Sequence, residues 1–279
     1  MRLLVGWDWY SCTLTGIFDA QLVTQKLAPG GAWRAGGAKQ NYPASYALSL
    51  ASGGSVQVWF GGSLEVHVVL TSAACDSLVD LVRSTWPHRV SRADAACDFD
   101  FPGAFDALFP QLIELANTRK PNRVAVDRHG PWFDGDDKTQ GRTVYLGKRQ
   151  SRWFGRFYEK GLEQRKKHPD QEFSSDWVRA EAEVKPSSSE HKSQLSTMTP
   201  VEAFASTAFG AAVLELLTGA VVESVPLHRN PSTDPEYWLA RQYHPVLTLW
   251  LGLDDSELRA RIVATLERAS SRPAALVDS

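Results

Sequence analysis

The sequence predicts an α+β fold: a mostly antiparallel sheet with charged residues on one face and helices on the other, and a helical C-terminal part. Two observations lead to this prediction. Period-two alternation of apolar and polar residues dominates residues 5–185, whereas helical periodicity dominates from Thr199 onward. In addition, the order strand, strand, helix occurs twice in loose form, as in two α+β halves that share one sheet.

The strands are predicted from alternation and from the turn residues that bound it. In chain order they lie at 5–16, 46–52, 55–60, 63–71, 89–101, 123–128, 142–147, 153–160 and 177–185. Gly53-Gly54 indicates a two-residue hairpin turn between the second and third of these strands. The Gly-rich residues 28–38 are predicted to form a loop.

The helices are predicted from apolar residues that recur every three or four positions. They lie at 74–82, 105–118, 200–219, 235–252 and 254–270. Ser72 is the expected N-cap of the first helix. Pro110 is expected to kink or split the second. Residues 186–196, rich in Ser, Lys and Glu, are predicted to be a mobile loop.

Composition places the chain among ordinary globular proteins. It has 279 residues, 43% hydrophobic and 22% charged, which excludes a disordered, collagen-like or coiled-coil chain and allows one large domain or two small ones. A net charge of −2 excludes a globally basic nucleic-acid coat but not a local basic patch. Three scattered cysteines, no signal peptide and no membrane span predict a soluble cytoplasmic protein.

One predicted strand carries several carboxylates on the same side. Residues two apart in a strand point the same way, so Arg92, Asp94, Asp98 and Asp100 share a face, and the alternate residues form an apolar face. Carboxylates on one face repel each other unless solvent, arginine or a cation compensates them. A solvated outer face is the alternative explanation.

A second strand, 177–185, carries alternating charges on one side: Arg179, Glu181, Glu183 and Lys185. Taken alone, this pattern is typical of a solvated face with ion pairs. If the two strands share a sheet, their carboxylates converge. Hard oxygen ligands of this kind favour Mg²⁺ or Mn²⁺ over Zn²⁺. The candidate metal ligands are Asp94, Asp98, Glu181 and Glu183.

Residues 142–167 form a basic stretch, with nine Lys or Arg against two Glu. In its second strand Arg156, Tyr158 and Lys160 share a face, so we expect the neighbouring cations to lower the pKa of the Tyr158 phenol and to hold a phosphate. Cations interleaved with aromatic residues can bind a phosphate backbone and stack unpaired bases. A solvated basic hairpin is the alternative.

Some absences narrow the function. The chain has no P-loop motif and hence no recognisable nucleotide-hydrolysing motor. Its seven histidines are dispersed, so a nuclease with a histidine-pair metal site is not expected. The acidic residues 134–137 lack the calcium-loop pattern and are interpreted as a turn.

Five short motifs follow one another at compatible spacing between residues 5 and 220. They are Asp8-Trp9; Arg92, Asp94, Asp98 and Phe99; Tyr145-Leu146-Gly147 with Lys148, Arg149 and Ser151; Arg156-Phe157-Tyr158-Glu159-Lys160 with Glu163; and Trp177, Arg179, Glu181, Glu183 and Lys185. In this order they resemble the trans-acting replication initiation factors of small rolling-circle plasmids and filamentous phages. Ala93, Ala95 and Phe157 differ from the residues usual in this family, but none of them is a residue expected to take part in the chemistry.

The resemblance implies a site-specific DNA nicking and joining enzyme. Its tyrosine, here Tyr158, attacks one strand at the origin, becomes joined to the 5′ phosphate and leaves a 3′ hydroxyl that primes synthesis; rejoining at termination needs no ATP. Arg156 and Lys160 would neutralise charge on the phosphate. Asp94 and Glu181 are the first candidates to hold Mg²⁺ or Mn²⁺, with Asp98 and Glu183 next.

The resemblance also implies partners. Origin DNA, single-stranded or in a hairpin or cruciform, would contact Lys148, Arg149, Arg152 and Trp153. A host helicase and polymerase would act together with the protein. The family also implies a homodimer, and no membrane partner is expected. Residues 1–222 would form the catalytic domain with its active site on one face of the sheet, and 223–279 a helical extension, our candidate for origin specificity.

Three other functions stay open at this point. The chain could be a non-cleaving DNA-binding regulator of a phage or plasmid replicon, although such a protein would not need Tyr158, Asp94 and Glu181 together. It could be a metal-dependent nuclease in which water attacks and Tyr158 only stacks. A purely structural protein leaves the basic stretch beside an acidic cluster unexplained.

Overall fold

The computed structural model of the chain describes residues 2–118, 125–133, 138–149, 153–219 and 253–270. The chain divides into two compact units, Met1–His228 and Arg229–Ser279. The helix predicted at 235–252 and the domain boundary predicted at residue 222 lie outside the described residues.

The strands form one open antiparallel sheet within the first unit. They are β1 (Arg2–Leu14), β2 (Arg34–Gly36), β3 (Ala44–Ser49), β4 (Ser55–Gly61), β5 (Leu64–Thr71), β6 (His88–Asp100), β7 (Val126–His129), β8 (Thr143–Leu146), β9 (Trp153–Tyr158) and β10 (Trp177–Val184). Their spatial order is β2-β3-β4-β5-β1-β6-β10-β9-β8-β7. The predicted α+β fold with an antiparallel sheet is confirmed.

Helices connect these strands and follow the last of them. In the first unit they are α1 (Ala20–Leu27), α2 (Ala73–Thr85), α3 (Ala104–Thr118), α4 (Lys160–Lys167), α5 (Ser189–Thr197), α6 (Pro200–Ala205) and α7 (Ala208–Thr218). The second unit contains α8 (Asp255–Ser270). Of the helices in the described ranges, none combines the length and apolar character needed to cross a membrane.

The two faces of the central strands differ in character, as the alternation predicts. One face of β6, β10 and β9 is fully buried through residues such as Phe99, Ala180 and Phe157. Apolar side chains of α3, α5, α6 and α7 belong to the same core. The opposite face, here called the polar face, carries the charged residues of these three strands. Burial of one face therefore fixes which side chains are left to form a site.

Two segments after β10 differ from the prediction. The loop predicted at 186–196 is wrong, because α5 begins at Ser189: the Ser188 side chain accepts a hydrogen bond from the His191 amide, and Leu195 is fully buried. The helix predicted at 200–219 is two helices, α6 and α7. The Thr207 side chain caps α7 by accepting from the Gly210 amide, which ends the first helix and starts the second.

The glycine pair between β3 and β4 forms a longer turn than predicted. Ser49 and Ser55 are the last paired residues, so the connection is residues 50–54 and not Gly53-Gly54 alone. Gly54 has a φ of +79°, and a Cβ there would lie 2.2 Å from the carbonyl oxygen of Thr71. Glycine is thus needed at this position for both its conformation and its small size.

Other differences concern helix starts and short elements. Helices α1 and α4 and strand β2 were not predicted; the Asp19 side chain caps α1 by accepting from two backbone amides. Helix α3 runs continuously through Pro110. Ser72 stands at the N-cap position of α2, but its side chain makes no capping hydrogen bond.

A β-bulge in β1 lies next to the polar face. Trp7 pairs with Ala95 and Trp9 with Asp94 of β6, so Asp8 is the extra residue. The Ser72 amide donates to the Asp8 carbonyl oxygen at 2.7 Å, and Ser72 adopts a φ of +50° to do so. Such a conformation in a non-glycine residue costs about 1–3 kcal/mol. The surrounding structure therefore holds the bulge in place.

Candidate active site

Tyr158 is the last residue of β9 and lies buried on the polar face. Its hydroxyl donates a hydrogen bond to Glu181 Oε1 at 2.6 Å. The antiparallel register makes this contact local, because Tyr158 is opposite Arg179 and Arg156 is opposite Glu181. Tyrosine and glutamate are thus brought together by two adjacent strands, not by a flexible loop.

Two cations lie close to the Tyr158 ring. The Arg156 guanidinium and the Lys160 ammonium lie 5.6 Å and 5.4 Å from its centroid. The pKa of the Tyr158 phenol is nevertheless raised, first by burial and then by the negative charge of Glu181. The expectation of a lowered pKa is wrong, because burial and a carboxylate outweigh the cations. Removing the phenolic proton therefore needs an acceptor, and Glu181 is in contact with it.

Glu181 is buried and held between Tyr158 and Arg156. Arg156 Nη2 lies 2.5 Å from Glu181 Oε2, an ion pair in which this oxygen makes no hydrogen bond of good geometry. Burial raises the pKa of Glu181, and the charge of Arg156 opposes that rise. A carboxylate with a raised pKa accepts a proton more readily than an exposed one.

Asp94 and Glu183 share one arginine on the neighbouring strands. They are directly opposite each other on β6 and β10. Arg92 binds Asp94 through two hydrogen bonds, of 2.8 and 2.6 Å, and lies 2.9 Å from Glu183 Oε2. Its guanidinium also stacks over the Trp9 ring at 4.7 Å. Lys185 forms a further ion pair with Glu183. The like charges predicted to repel are compensated by these cations.

Asp98 has a different environment from the other three carboxylates. It accepts two hydrogen bonds of 2.7 Å from Arg179 and one of 2.8 Å from Trp177 Nε1. The same Arg179 contacts Asp8 Oδ1 at 3.1 Å. Asp98 therefore fixes the arginine opposite Tyr158, and its oxygens are already used as acceptors.

The donor chemistry of the polar face fits a divalent cation. Its carboxylates are hard oxygen ligands, and two of their buried oxygens, Glu181 Oε2 and Glu183 Oε1, are held by ion pairs with Arg156 and Lys185 and not by hydrogen bonds of good geometry. Within the described part of the chain, however, no three Asp, Glu, His or Cys side chains come together closely enough to form a preformed metal site. The carboxylates are therefore the right ligand type for such an ion. In this structure arginine and lysine side chains neutralise their charges.

The predicted cationic pair is divided between the strand and the helix that follows it. Arg156 lies on β9 beside Glu181, whereas Lys160 is the first residue of α4. Lys160 Nζ donates to Glu163 Oε2 at 2.7 Å. Lys167 pairs with the same carboxylate from the next turn of the helix. Both predicted cations therefore lie close to Tyr158, each with its own carboxylate.

The predicted DNA contacts lie around the turn between β8 and β9. Lys148 and Arg149 are exposed there, and Arg152 lies outside the described residues. Trp153 pairs with Val184 and packs partly buried against the core, a position typical of a packing residue. Its neighbour Phe154, opposite Glu183, lies on the polar face instead.

Three charged residues of this site were not given roles from the sequence. Arg92 and Arg179 compensate the carboxylates, and Asp8 reaches Arg179 from the bulge. All three belong to the motifs that carry the family resemblance, and this membership is the sequence signal that could have identified them. Their partners could not be predicted, because the bulge at Asp8 and the pairing of β6 with both β1 and β10 are tertiary features.

Comparison with known proteins agrees with the order of the motifs. Residues 88–213 match the family model described as replication initiation factor. The resemblance predicted from the sequence is thereby confirmed over the segment that contains β6, β9 and β10. No curated protein matches the chain.

The fold is similar to a solved structure described as a rolling circle replication initiator protein from Geobacillus stearothermophilus. The TM-score is 0.53 at 20% sequence identity, and the match covers 73% of this chain and 83% of the other. At this identity the comparison establishes the fold. Tyr158 and Glu181 both lie within the segment that the family model matches.

Proposed function

We propose that the protein initiates rolling-circle DNA replication by nicking one strand at the origin and rejoining it at termination. The observation that carries this proposal is the 2.6 Å hydrogen bond from the Tyr158 hydroxyl to Glu181, buried beside Arg156 and Lys160. A nucleophile, a proton acceptor and two cations within contact distance are the parts that phosphoryl transfer to tyrosine needs.

The reaction proceeds by in-line displacement at the scissile phosphate. The Tyr158 oxygen bonds to phosphorus, and the bond from phosphorus to the 3′ oxygen breaks. Glu181 accepts the phenolic proton and releases it to solvent, and the leaving 3′ oxygen takes up a proton from solvent, so no net proton is consumed. The products are a 5′-phosphotyrosyl ester and a free 3′ hydroxyl that primes synthesis. Attack by a 3′ hydroxyl on the ester reverses these steps and rejoins the strand without ATP.

The cations act on the charge of the phosphate. Arg156 and Lys160 both lie within 6 Å of the centre of the Tyr158 ring, so a phosphate bound at the Tyr158 hydroxyl would be close to both. Their charges stabilise the additional negative charge of the transition state. As DNA enters, Arg156 can exchange part of its contact with Glu181 for the phosphate, which frees the carboxylate to act as a base.

Asp94 and Glu183, which face each other on β6 and β10, would hold the Mg²⁺ or Mn²⁺ that family resemblance implies, while Glu181 accepts the phenolic proton. When bound, the ion would polarise the phosphate and stabilise the leaving oxygen. Asp98, the fourth predicted ligand, is better suited to positioning Arg179 and Trp177, because its oxygens accept three hydrogen bonds from them.

Origin DNA is the proposed substrate, in single-stranded or hairpin form, since attack requires an accessible, unpaired phosphodiester. Lys148 and Arg149 are exposed at the turn before β9 and would contact its backbone. The host helicase and polymerase, the homodimer and a role of residues 223–279 in origin specificity remain predictions from the family resemblance.

A cleavage assay tests the proposal. Single-stranded oligonucleotides tiled across the replicon of the protein are incubated with it and Mn²⁺ or Mg²⁺, then separated on a denaturing gel. A slowly migrating protein–DNA adduct is expected with the native chain and is expected to be absent with Tyr158→Phe. Tyr46→Phe, which changes a tyrosine on β3, is the matched control and should form the adduct normally.

The other outcomes favour the alternative functions. Cleavage without an adduct that persists in Tyr158→Phe would mean that water is the nucleophile. Binding without cleavage of any oligonucleotide would favour the non-cleaving regulator of a phage or plasmid replicon.

A further inference from the structure

A cavity of about 300 Å³ opens beside the site, where β1, β6 and β10 lie side by side. It is lined by Leu4, Asp98, Phe99, Asp100 and Trp177. Trp177 is opposite Asp100 in the sheet, and Leu4 is opposite Asp98. The volume is at the lower end of the range for small-molecule sites.

The walls of this cavity suit a flat, apolar group. Leu4 is 55% exposed, which is unusual for a large aliphatic side chain in the centre of a sheet. Trp177 is held in one orientation, because its indole N–H donates to Asp98 and its ring packs at 6.1 Å from that of Phe173. A fixed aromatic ring beside an exposed leucine is a stacking surface for a planar ligand.

The two carboxylates of the cavity differ in what they can still accept. Asp98 is engaged by Arg179 and Trp177. Asp100 is exposed and accepts one hydrogen bond on Oδ1, from Ser174 Oγ at 2.9 Å. An ionised carboxylate has about four acceptor positions, so Asp100 retains capacity. A carboxylate accepts from the exocyclic amino group of a base such as cytosine and repels a phosphate.

The position of the cavity relates it to the proposed chemistry. Trp177, Arg179 and Glu181 are successive residues of the polar face of β10, and Glu181 accepts the hydrogen bond of Tyr158. Trp177 and Glu181 are four residues apart, which is about 13 Å along a strand. An unpaired strand that crosses the site can therefore place a base in the cavity close to its scissile phosphate, with Arg179 between the two.

We propose that this cavity is a subsite for one unpaired nucleobase that carries an exocyclic amino group. The base stacks on Trp177 against Leu4, and its amino group donates to Asp100. The subsite rests on the proposed function in that its ligand is single-stranded DNA. It adds base preference to a site whose other contacts are with phosphate.

Binding of labelled oligonucleotides tests the subsite without relying on cleavage. Fluorescence anisotropy of the full chain is measured with short fluorescein-labelled oligo-dC and oligo-dT in EDTA, since thymine has no exocyclic amino group. The native chain should bind oligo-dC more tightly. Trp177→Ala should weaken that binding about 5- to 150-fold, the loss of one stacked base. Trp177→Phe keeps a ring and should retain most of it.

Asp100→Asn gives a second, independent readout. Removing a negative charge should leave oligo-dT binding unchanged or tighter, while the ratio of dC to dT affinity falls toward one. Because Asp100 is exposed, this variant decides the question even if Trp177→Ala fails to fold. Phe133→Ala, at a 78% exposed aromatic residue outside the cavity, is the control and should change neither affinity.

The outcomes separate this subsite from the proposed function. Equal binding of oligo-dC and oligo-dT by a chain that forms the Tyr158 adduct would overturn the subsite alone. Unchanged oligo-dC binding by folded Trp177→Ala, or an unchanged affinity ratio in Asp100→Asn, would also overturn it. A dC preference lost in both variants, in a chain that forms no adduct, would support the subsite and leave the nicking proposal contradicted.

Discussion

The carboxylates at the centre of the site are buried, and each is neutralised by a neighbour of opposite charge. Asp94, Glu181 and Glu183 are all buried, and each is in contact with at least one arginine or lysine. Removing one member of such a pair leaves a buried charge uncompensated, which costs more than the pair itself contributes. Conservative substitutions are therefore the informative ones here.

Glu181→Gln tests the carboxylate as proton acceptor. The amide keeps its size and can still accept from Tyr158, so oligonucleotide binding should change little, while the rate of adduct formation should fall about 10²- to 10⁴-fold. Burial raises the pKa of Glu181, and only its ionised form is a base. The native rate should therefore rise with pH through that raised pKa, and the variant should lack this rise.

Single-turnover adduct formation across a pH series measures both effects. Glu190→Gln, at an exposed glutamate of α5, is the matched control. A native pH profile in Glu181→Gln would exclude Glu181 as the base.

The environment of His67 predicts how the stability of the protein depends on pH. Its ring nitrogens lie 2.8 Å from Ser11 Oγ and 2.9 Å from Thr13 Oγ1, and burial lowers the pKa of His67 to about 4. Between pH 6.5 and 4 the unfolded chain therefore binds a proton that the folded chain does not. The free energy of unfolding should fall by about 3 kcal/mol as the pH drops across this range.

Urea denaturation at several pH values, with native chain and His67→Gln, measures this contribution. The variant should lose stability at neutral pH and show a smaller decline on acidification. His129→Gln, at an exposed histidine, should decline as the native chain does. Parallel curves for the native chain and His67→Gln would contradict the assignment.

At the scale of elements, the register of β6, β10 and β9 forms the site. A shift by one residue would turn Asp94, Glu181 and Tyr158 into the core and expose the apolar face to water. Burial of that face therefore specifies the positions of the groups proposed for catalysis. Close packing of α7 on β9 is one contact that holds this arrangement.

Gly155→Ala tests the contact between β9 and α7. A Cβ at Gly155 would lie 2.9 Å from the ring of Phe209, a buried side chain with little room to move. Overpacking of this kind destabilises by about 1–3 kcal/mol. Urea denaturation should show that loss, and Phe209→Leu in the same chain should recover part of it.

Gly37→Ala is the matched control, since a Cβ there would meet no atom within 4 Å. A Gly155→Ala chain as stable as the native one would mean that α7 does not pack this closely on the strand.

At the scale of the whole molecule, the chain separates into a large unit that contains the described sheet and a small C-terminal one. Every residue proposed for the chemistry lies in the first. This division makes a simple prediction about the second, whose role is expected to be origin specificity.

A chain ending at His228 should form the Tyr158 adduct with single-stranded origin oligonucleotides at close to the native rate, because the site is complete. Its preference for its own origin over an unrelated hairpin should be reduced. Competition between the two substrates measures that preference. Unchanged preference would remove the C-terminal unit from origin recognition, and loss of all adduct formation would show that the unit supports the site.

The local pattern of the sequence was sufficient for most of the sheet. Period-two alternation identified β6 and β10 and separated their polar residues from their apolar ones, because side chains on opposite sides of a strand meet different environments. It was insufficient for α5, where Ser, Lys and Glu mark both exposed helices and loops. There the single buried Leu195 and a serine cap decide the structure.

The sequence by itself determined the α+β class, the side of each strand on which Asp94, Glu181 and Tyr158 lie, and the resemblance to replication initiation factors, since these depend on local periodicity and motif order. Only the tertiary structure decided how these residues act on one another. It raised the pKa of Tyr158 through burial, directed the hydrogen bond of its hydroxyl to Glu181 and assigned Arg92, Arg156 and Arg179 to particular carboxylates. Desolvation and the distances between strands are properties of the assembled sheet. They could not be predicted from the sequence of each strand alone.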